Sequence, residues 1–305
     1  MLLIITHKED YTVDFVVNQL NAAAIPYFRL NCEDLLAYRY NVSFPTGKPL
    51  SLEGIERFTA VWFRRVKKPV LTLAEGHVAE YVAGELLALL QNLYLLLDCK
   101  WVSQPAHIYQ AENKLYQLKW AEKLGFTLPE TLVTNDKSAL QDFYHHHQGE
   151  VILKPLFNSR VVQGEEQRVL FTNKLKPEHI AQLDQYLLTP SIYQRNVLKA
   201  YEVRVTVVGR EVFAATVDSQ ATAATQQDWR RERLPFRTYE LPAVVADKCV
   251  ALVQALQLRF GAIDLIKSTD GQYYFLEINP NGQWAWVELD CGLPISRALI
   301  TELTN

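Results

Sequence analysis

The chain opens on an apolar run, Met1 to Ile5, then a polar turn and apolar positions at Phe15, Val16, Leu20 and Ala24, the spacing of a helix with one buried face. Tyr27 to Leu30 and Val61 to Arg65 read as further strands and residues 76–97 as a long helix, so the first hundred residues predict a small α/β domain. No glycine-rich phosphate loop accompanies that opening. Pro105 breaks the pattern, and a helix over residues 113–124 is stopped by Gly125, with Pro129 beyond it. Strand-like Val151 to Pro155 leads into a polar segment, Phe157 to Gln167, that reads as a mobile turn before a strand at Val169 to Thr172. From Ser191 onward strands dominate: residues 192–197, the hairpin arms 201–208 and 211–218, and, after a helix around Ala246 to Leu256, a closing hairpin over residues 261–279. The pattern predicts three units: an N-terminal α/β domain (1–102), a central α+β subdomain (103–190) and a C-terminal antiparallel-sheet subdomain (191–305).

Composition narrows the function classes. Of 305 residues, 49 % are hydrophobic, enough for a large core, and 31 basic against 34 acidic residues leave a net charge of −3, so no bulk field marks a nucleic-acid or membrane-surface binder. The most apolar window, Leu86 to Cys99, is too short to span a bilayer and carries Gln91, Asn92 and Asp98. The start lacks the basic flank and long apolar stretch of a signal peptide, so a cytoplasmic location is expected. Cys32, Cys99, Cys249 and Cys291 are widely spaced with no C-x-x-C pair, which suits reduced thiols. His145, His146 and His147 are consecutive, would point in different directions, and read as a solvated loop rather than a metal site.

The closing hairpin carries the chemistry. Asp270-Gly271 is a preferred pair for a two-residue turn, which would set Asp264 opposite Glu277. Side chains alternate along a strand, so Tyr273, Phe275, Glu277 and Asn279 should share one face and Leu276 and Ile278 the other. Directly opposed carboxylates destabilise a sheet unless a cation or a proton lies between them. An Asp, Glu and Asn oxygen set suits Mg²⁺ shared with nucleotide phosphates better than zinc or calcium. On the strand 201–208, Glu202 and Arg204 share a face, so Arg204 either contacts a phosphate or pairs with Glu202 at the surface. Lys154, at a strand end, is equally ambiguous.

Taken together, Asn113-Lys114, VILKP (151–155), YQRNV (193–197), EVRVTVVG (202–209) and FLEINPNG (275–282) resemble, in order and spacing, an ATP-grasp enzyme, and the match covers nearly the whole chain. With Trp62-Phe63-Arg64-Arg65 and Asp228-Trp229-Arg230 added, the chain looks like the ligases that mature graspetides, the microviridin-type peptides with ω-ester links. The resemblance implies an N-terminal pre-ATP-grasp domain, a lid-like central subdomain and a C-terminal subdomain with the metal. It implies that Lys114 and Lys154 contact ATP phosphates, that Gln194, Arg195, Asn196 and Val197 form the adenine hinge, that Arg204 is catalytic at the γ-phosphate, and that Asp264, Glu277 and Asn279 hold Mg²⁺. The partner it implies is a ribosomal precursor peptide, leader plus acidic core, with no nucleic acid or membrane; a homodimer stays open. The polar segment 219–233 mixes acceptor, aromatic and cationic groups, so Asp228, Arg230 and Arg231 are substrate candidates, joined by Arg64 and Arg65. Phe157 to Gln167 would cover the nucleotide, although Gly164 is its only glycine. Two other readings remain: a ligase adding free amino acids to a peptide or protein, and a nucleotide-binding regulator without catalysis.

Overall fold

The computed structural model describes residues 1–45, 50–67, 76–157, 160–163, 166–169, 172–186, 188–226 and 228–305. Its first sheet is parallel, in the order Tyr27–Asn31, Leu2–Thr6, Ala60–Phe63, Lys100–Val102. Parallel neighbours need crossovers, and the helices Tyr11–Ala22 and Gly76–Leu96 supply two of them. The first is capped by Asp10, whose side chain accepts from the backbone N–H of Thr12 and Val13, and it buries Val13, Val16 and Leu20, while Ala24 falls beyond its end.

The second sheet is antiparallel, in the order Asn173–Lys174, Val151–Lys154, Ser191–Arg195, Thr131–Thr134. Ser191–Arg195 therefore belongs to the central unit, not to the C-terminal one in which the run of strands placed it; its apolar Ile192 and Tyr193 are buried between two neighbours of that sheet. The polar segment after residue 157 also departs from the expected turn. Arg160–Gln163 and Glu166–Val169 pair as antiparallel strands, and residues 164–165, with Gly164, lie outside the described residues. The strand expected at 169–172 is likewise displaced: Val169 ends the second of these strands, residues 170 and 171 are outside the description, and the next strand starts at Asn173.

The third sheet is antiparallel, ordered Arg237–Thr238, Glu211–Val217, Lys199–Val208, Phe260–Ser268, Tyr273–Asn279. One continuous core joins it to the first sheet: Leu3, Ile5 and Phe63 cluster with Val203, Val205, Leu252, Ile263 and Phe275. A second cluster unites Leu2, Ile4 and Trp62 with Trp284 and Leu299. The central unit keeps its own small core around Leu140, Val151, Leu183 and Tyr193. That division leaves a cleft between the central sheet and the other two. The four cysteines are unpaired, Cys32 and Cys249 buried, and no described helix is long and apolar enough to cross a membrane.

Candidate active site

The closing hairpin reaches the expected pairing by an unexpected route. Its turn has three residues, Thr269, Asp270 and Gly271: the Ser268 N–H donates to the Gln272 carbonyl (2.9 Å), and Gly271 sits at φ +84°, which favours glycine. That turn alone would set Asp264 opposite Leu276. A bulge at Leu276 inserts one residue between the pairs Leu265–Phe275 and Asp264–Glu277, and so restores Asp264 to Glu277. The same bulge overturns part of the face assignment. Phe275 joins Ile278 in the core, whereas Leu276 turns to the cleft beside Glu277. Glu277 and Asn279 do share a face, and the Asn279 Nδ2 lies 3.3 Å from the Asp264 Oδ2 and 3.4 Å from the Glu277 Oε1.

Arg204 stands across the sheet from Asp264 and pairs with it, Nη1 lying 2.9 Å from both Oδ1 and Oδ2. Its Nη2 donates to the Gln283 carbonyl at 3.1 Å, and Nε is buried without a partner. Glu202 pairs instead with Lys199 at 2.8 Å, so the surface-pair reading of Arg204 fails. Gly282 is required by this packing: a Cβ there would stand 2.5 Å from Ala262 Cβ and 2.8 Å from Arg204 Nη2. The strand carrying Glu277 is pinned from the other side by Gln117, whose amide donates to the Ala111 and Ile278 carbonyls and accepts from the Ile278 N–H.

The charges split unequally. Burial raises the Asp264 carboxyl, Arg204 opposing and Glu277 adding to the rise; Glu277, also pushed up by burial, is nevertheless brought below the usual range by Lys114, Arg230 and Lys154. Burial lowers the Lys154 ammonium to about 8, with Glu277 opposing. Lys114, at the start of the helix Lys114–Lys123, donates to the Pro155 carbonyl at 2.9 Å.

A first cleft, between the central sheet and the hairpin, is lined by Lys114, Lys154, Gln194, Arg195, Asn196, Val197, Arg230, Asp264 and Glu277 among others. The segment 194–197 is firmly held: Gln194 Nε2 donates to Thr131 Oγ1 (2.9 Å), Arg195 N–H to the Glu130 carbonyl (2.9 Å), and Asn196 N–H to the Glu150 carbonyl (2.8 Å). Val197 packs with Ile266, Tyr274 and Leu276 into an apolar floor suited to a planar ring. Among the charged lining residues, Lys199 and Glu202 were not site candidates in the sequence, although Glu202 shares the face of Arg204.

A second, wider cleft of about 1080 Å³ lies against the first sheet and is lined by His7, Arg65, Lys67, Tyr109, Glu112 and Arg204, with the Asn279–Gln283 turn. Lys114 and Glu277 line both clefts.

The substrate candidates separate. Asp228 is buried and fixes Arg230, accepting from its backbone N–H and from Nε (2.7 Å) and Nη2 (2.6 Å); the Asp228 hydrogen bond holds the guanidinium well above its usual range, and Arg230 points into the first cleft. Arg231 reaches the central unit instead, donating to the Thr172 carbonyl and Asn173 Oδ1. Arg64 is enclosed, 1 % exposed, bound to Asp10 Oδ2 (2.9 Å), the Gly282 carbonyl (3.2 Å) and Gln283 Oε1 (2.7 Å), so it ties the first sheet to the hairpin's exit turn. Arg65, its neighbour, is exposed in the wide cleft.

The sequence matches no protein-family model and no curated protein. In solved structures it is similar to a RiPP-associated ATP-grasp ligase of Chryseobacterium gregarium, described in complex with ADP and a leader and core peptide: 28 % identity, TM-score 0.90, covering 99 % of this chain and 96 % of that one. It is also similar to the macrocyclase MdnC of Microcystis aeruginosa, described as bound with precursor peptide MdnA (26 %, TM-score 0.87, 100 % and 99 % covered). The macrocyclase MdnB of the same organism gives 28 %, TM-score 0.81, with 99 % and 98 % covered. Likeness over the full length gives this chain the fold of these ATP-grasp ligases, and opposed acidic residues and lysines gather around one of its clefts.

Proposed function

We propose that the protein uses ATP and Mg²⁺ to activate Asp or Glu side chains of a ribosomally made precursor peptide and closes macrocyclic ester or amide links. The observation that carries this reading is the meeting of the two clefts at Lys114 and Glu277, which brings the phosphate end of a nucleotide against a wide, polar, peptide-sized groove. The donor set fits the metal. Asp264, Glu277 and Asn279 present hard oxygens on one face, and burial beside Glu277 raises the Asp264 carboxyl in spite of Arg204, a cost that a cation between the carboxylates would relieve. When bound, Mg²⁺ neutralises phosphate charge and the repulsion between these carboxylates.

Val197 and Leu276 would take the base of the nucleotide, and Lys114, Lys154 and Arg230 its phosphates. Arg204, preorganised by Asp264 and the Gln283 carbonyl and lining the wide cleft, would stabilise the γ-phosphoryl group. A peptide carboxylate attacks the γ-phosphorus, the bond to the β-phosphate oxygen breaks, and ADP leaves. A Ser or Thr hydroxyl, or a Lys amine, then attacks the acyl carbon; phosphate departs and the proton passes to it or to water. The net change in the peptide is the loss of one water per link. Arg65, with Lys67 and His7 around the wide cleft, holds the acidic core of the peptide. The reaction is placed in the cytoplasm, where ATP and nascent peptides occur together.

Arg65→Ala tests the peptide groove apart from the nucleotide cleft. Loss of one charge-assisted contact should lower cross-linking about tenfold or more while ADP affinity stays within about twofold. Cross-linking at the wild-type rate in Arg65→Ala would remove Arg65 from the peptide site.

A further inference from the structure

The histidine tract does not form a loop. His145 and His146 complete the helix Lys137–His146, and His147 caps it, so the last turn carries three imidazoles. The helix end brings two of them against a residue distant in sequence. Ligand atoms of Glu130, His146 and His147 all lie within 4.8 Å of one another. The Glu130 Oε2 is 3.7 Å from the His147 Nε2, and the rings of His146 and His147 are 4.8 Å apart at 83°. Tetrahedral ligands at zinc-like bond lengths are roughly 3.3 Å apart, so small side-chain rotations bring the three onto one ion.

The state of His147 is the second observation. Its side chain is 6 % exposed and its Nε2 is buried without a hydrogen bond, although it faces the Glu130 carboxylate and the packed Phe143 ring lies only 4.5 Å away. A buried polar atom left unsatisfied costs about 1–3 kcal/mol, and an ion bound at Nε2 would relieve it.

We propose that Glu130, His146 and His147 form a binding site for one divalent cation of the zinc class, separate from the carboxylate hairpin. Two neutral imidazoles and one carboxylate suit a borderline cation such as Zn²⁺ rather than Mg²⁺, and the exposed side of Glu130 and His146 leaves room for water as a further ligand. The site lies at the back of the first cleft. The Glu130 carbonyl accepts from Arg195 N–H, and its carboxylate lies 3.8 Å from the Arg195 Nε, so an ion that takes this carboxylate alters the setting of a cleft residue.

The test is Zn²⁺ titration of the full chain in competition with a chromogenic chelator, free of nucleotide and Mg²⁺ and near neutral pH. One equivalent should bind, weakened about tenfold or more in Glu130→Gln and in His146→Gln, and little changed in His145→Gln and in Glu277→Gln. Glu130 and His146 are exposed, so both variants should fold, and thermal unfolding of each without zinc checks this. An equal loss in His145→Gln would mean unspecific capture by the tract, and a loss confined to Glu277→Gln would place zinc at the hairpin. Either result, or no stoichiometric binding, overturns the proposal.

Discussion

At the residue scale, the side chain most open to test by pH is Lys154. Burial lowers its ammonium to about 8, against Glu277, so before nucleotide binds the cation is mostly present below that pH and lost above it. A phosphate contact needs the cation. ATP affinity should therefore weaken as pH rises through about 8, and Lys154→Arg, which does not titrate there, should flatten the dependence. Calorimetric binding across that range decides it: parallel profiles for the wild type and Lys154→Arg would show that Lys154 is not a phosphate contact. The opposition of Asp264 and Glu277 was legible in sequence by type and spacing, whereas Arg204 stayed open between a phosphate and Glu202. The partners that such side chains take were not legible. Nothing local distinguishes Arg64 from Arg65, yet one is enclosed by Asp10 and Gln283 and the other lines a cleft, because direction at the end of a strand is decided by packing from the far end of the chain.

At the scale of elements, the acidic hairpin shows how a correct pairing arises from two features that the pattern of residues does not reveal. A three-residue turn shifts the register by one, and the bulge at Leu276 shifts it back on the Glu277 side only. Both depend on backbone geometry, whereas alternation in sequence counts residues and takes the ladder as regular. The consequence is testable. Inserting one alanine between Leu276 and Glu277 should set Glu277 one step out of phase with Asp264 or force the hairpin to rearrange. Nucleotide-dependent activity should fall at least about a hundredfold. Undiminished ADP formation by the insertion variant would show that the register around the bulge is not needed. The histidine tract follows the same rule: its helical ending was within reach of the sequence, but Glu130 arrives from the strand-entry segment before Thr131 and could not be foreseen.

At the scale of the whole molecule, the first and third sheets share one core while the central unit has its own, which places both clefts on the joins. The α/β opening, the strand-rich end and most helices were visible as hydrophobic periodicity, but the sheet to which Ser191–Arg195 belongs was not, since a strand's partners are a long-range property. Arg64 is the polar lock across the first join. Arg64→Met strips the buried Asp10 carboxylate of its counter-charge and should cost about 3–5 kcal/mol, read as a lower denaturation midpoint. Adding Asp10→Asn should recover part of that loss; a double variant no more stable than the single one would mean that burial of the charge is not the cause.

The central claim is tested most directly by mass spectrometry of an acidic, hydroxyl-bearing precursor peptide incubated with the protein, ATP and Mg²⁺. The account predicts successive losses of the mass of water, each matched by ADP, and abolished in Glu277→Gln. An unchanged peptide, with ADP released from ATP only when free amino acids are supplied, or full cross-linking by Glu277→Gln, would contradict it.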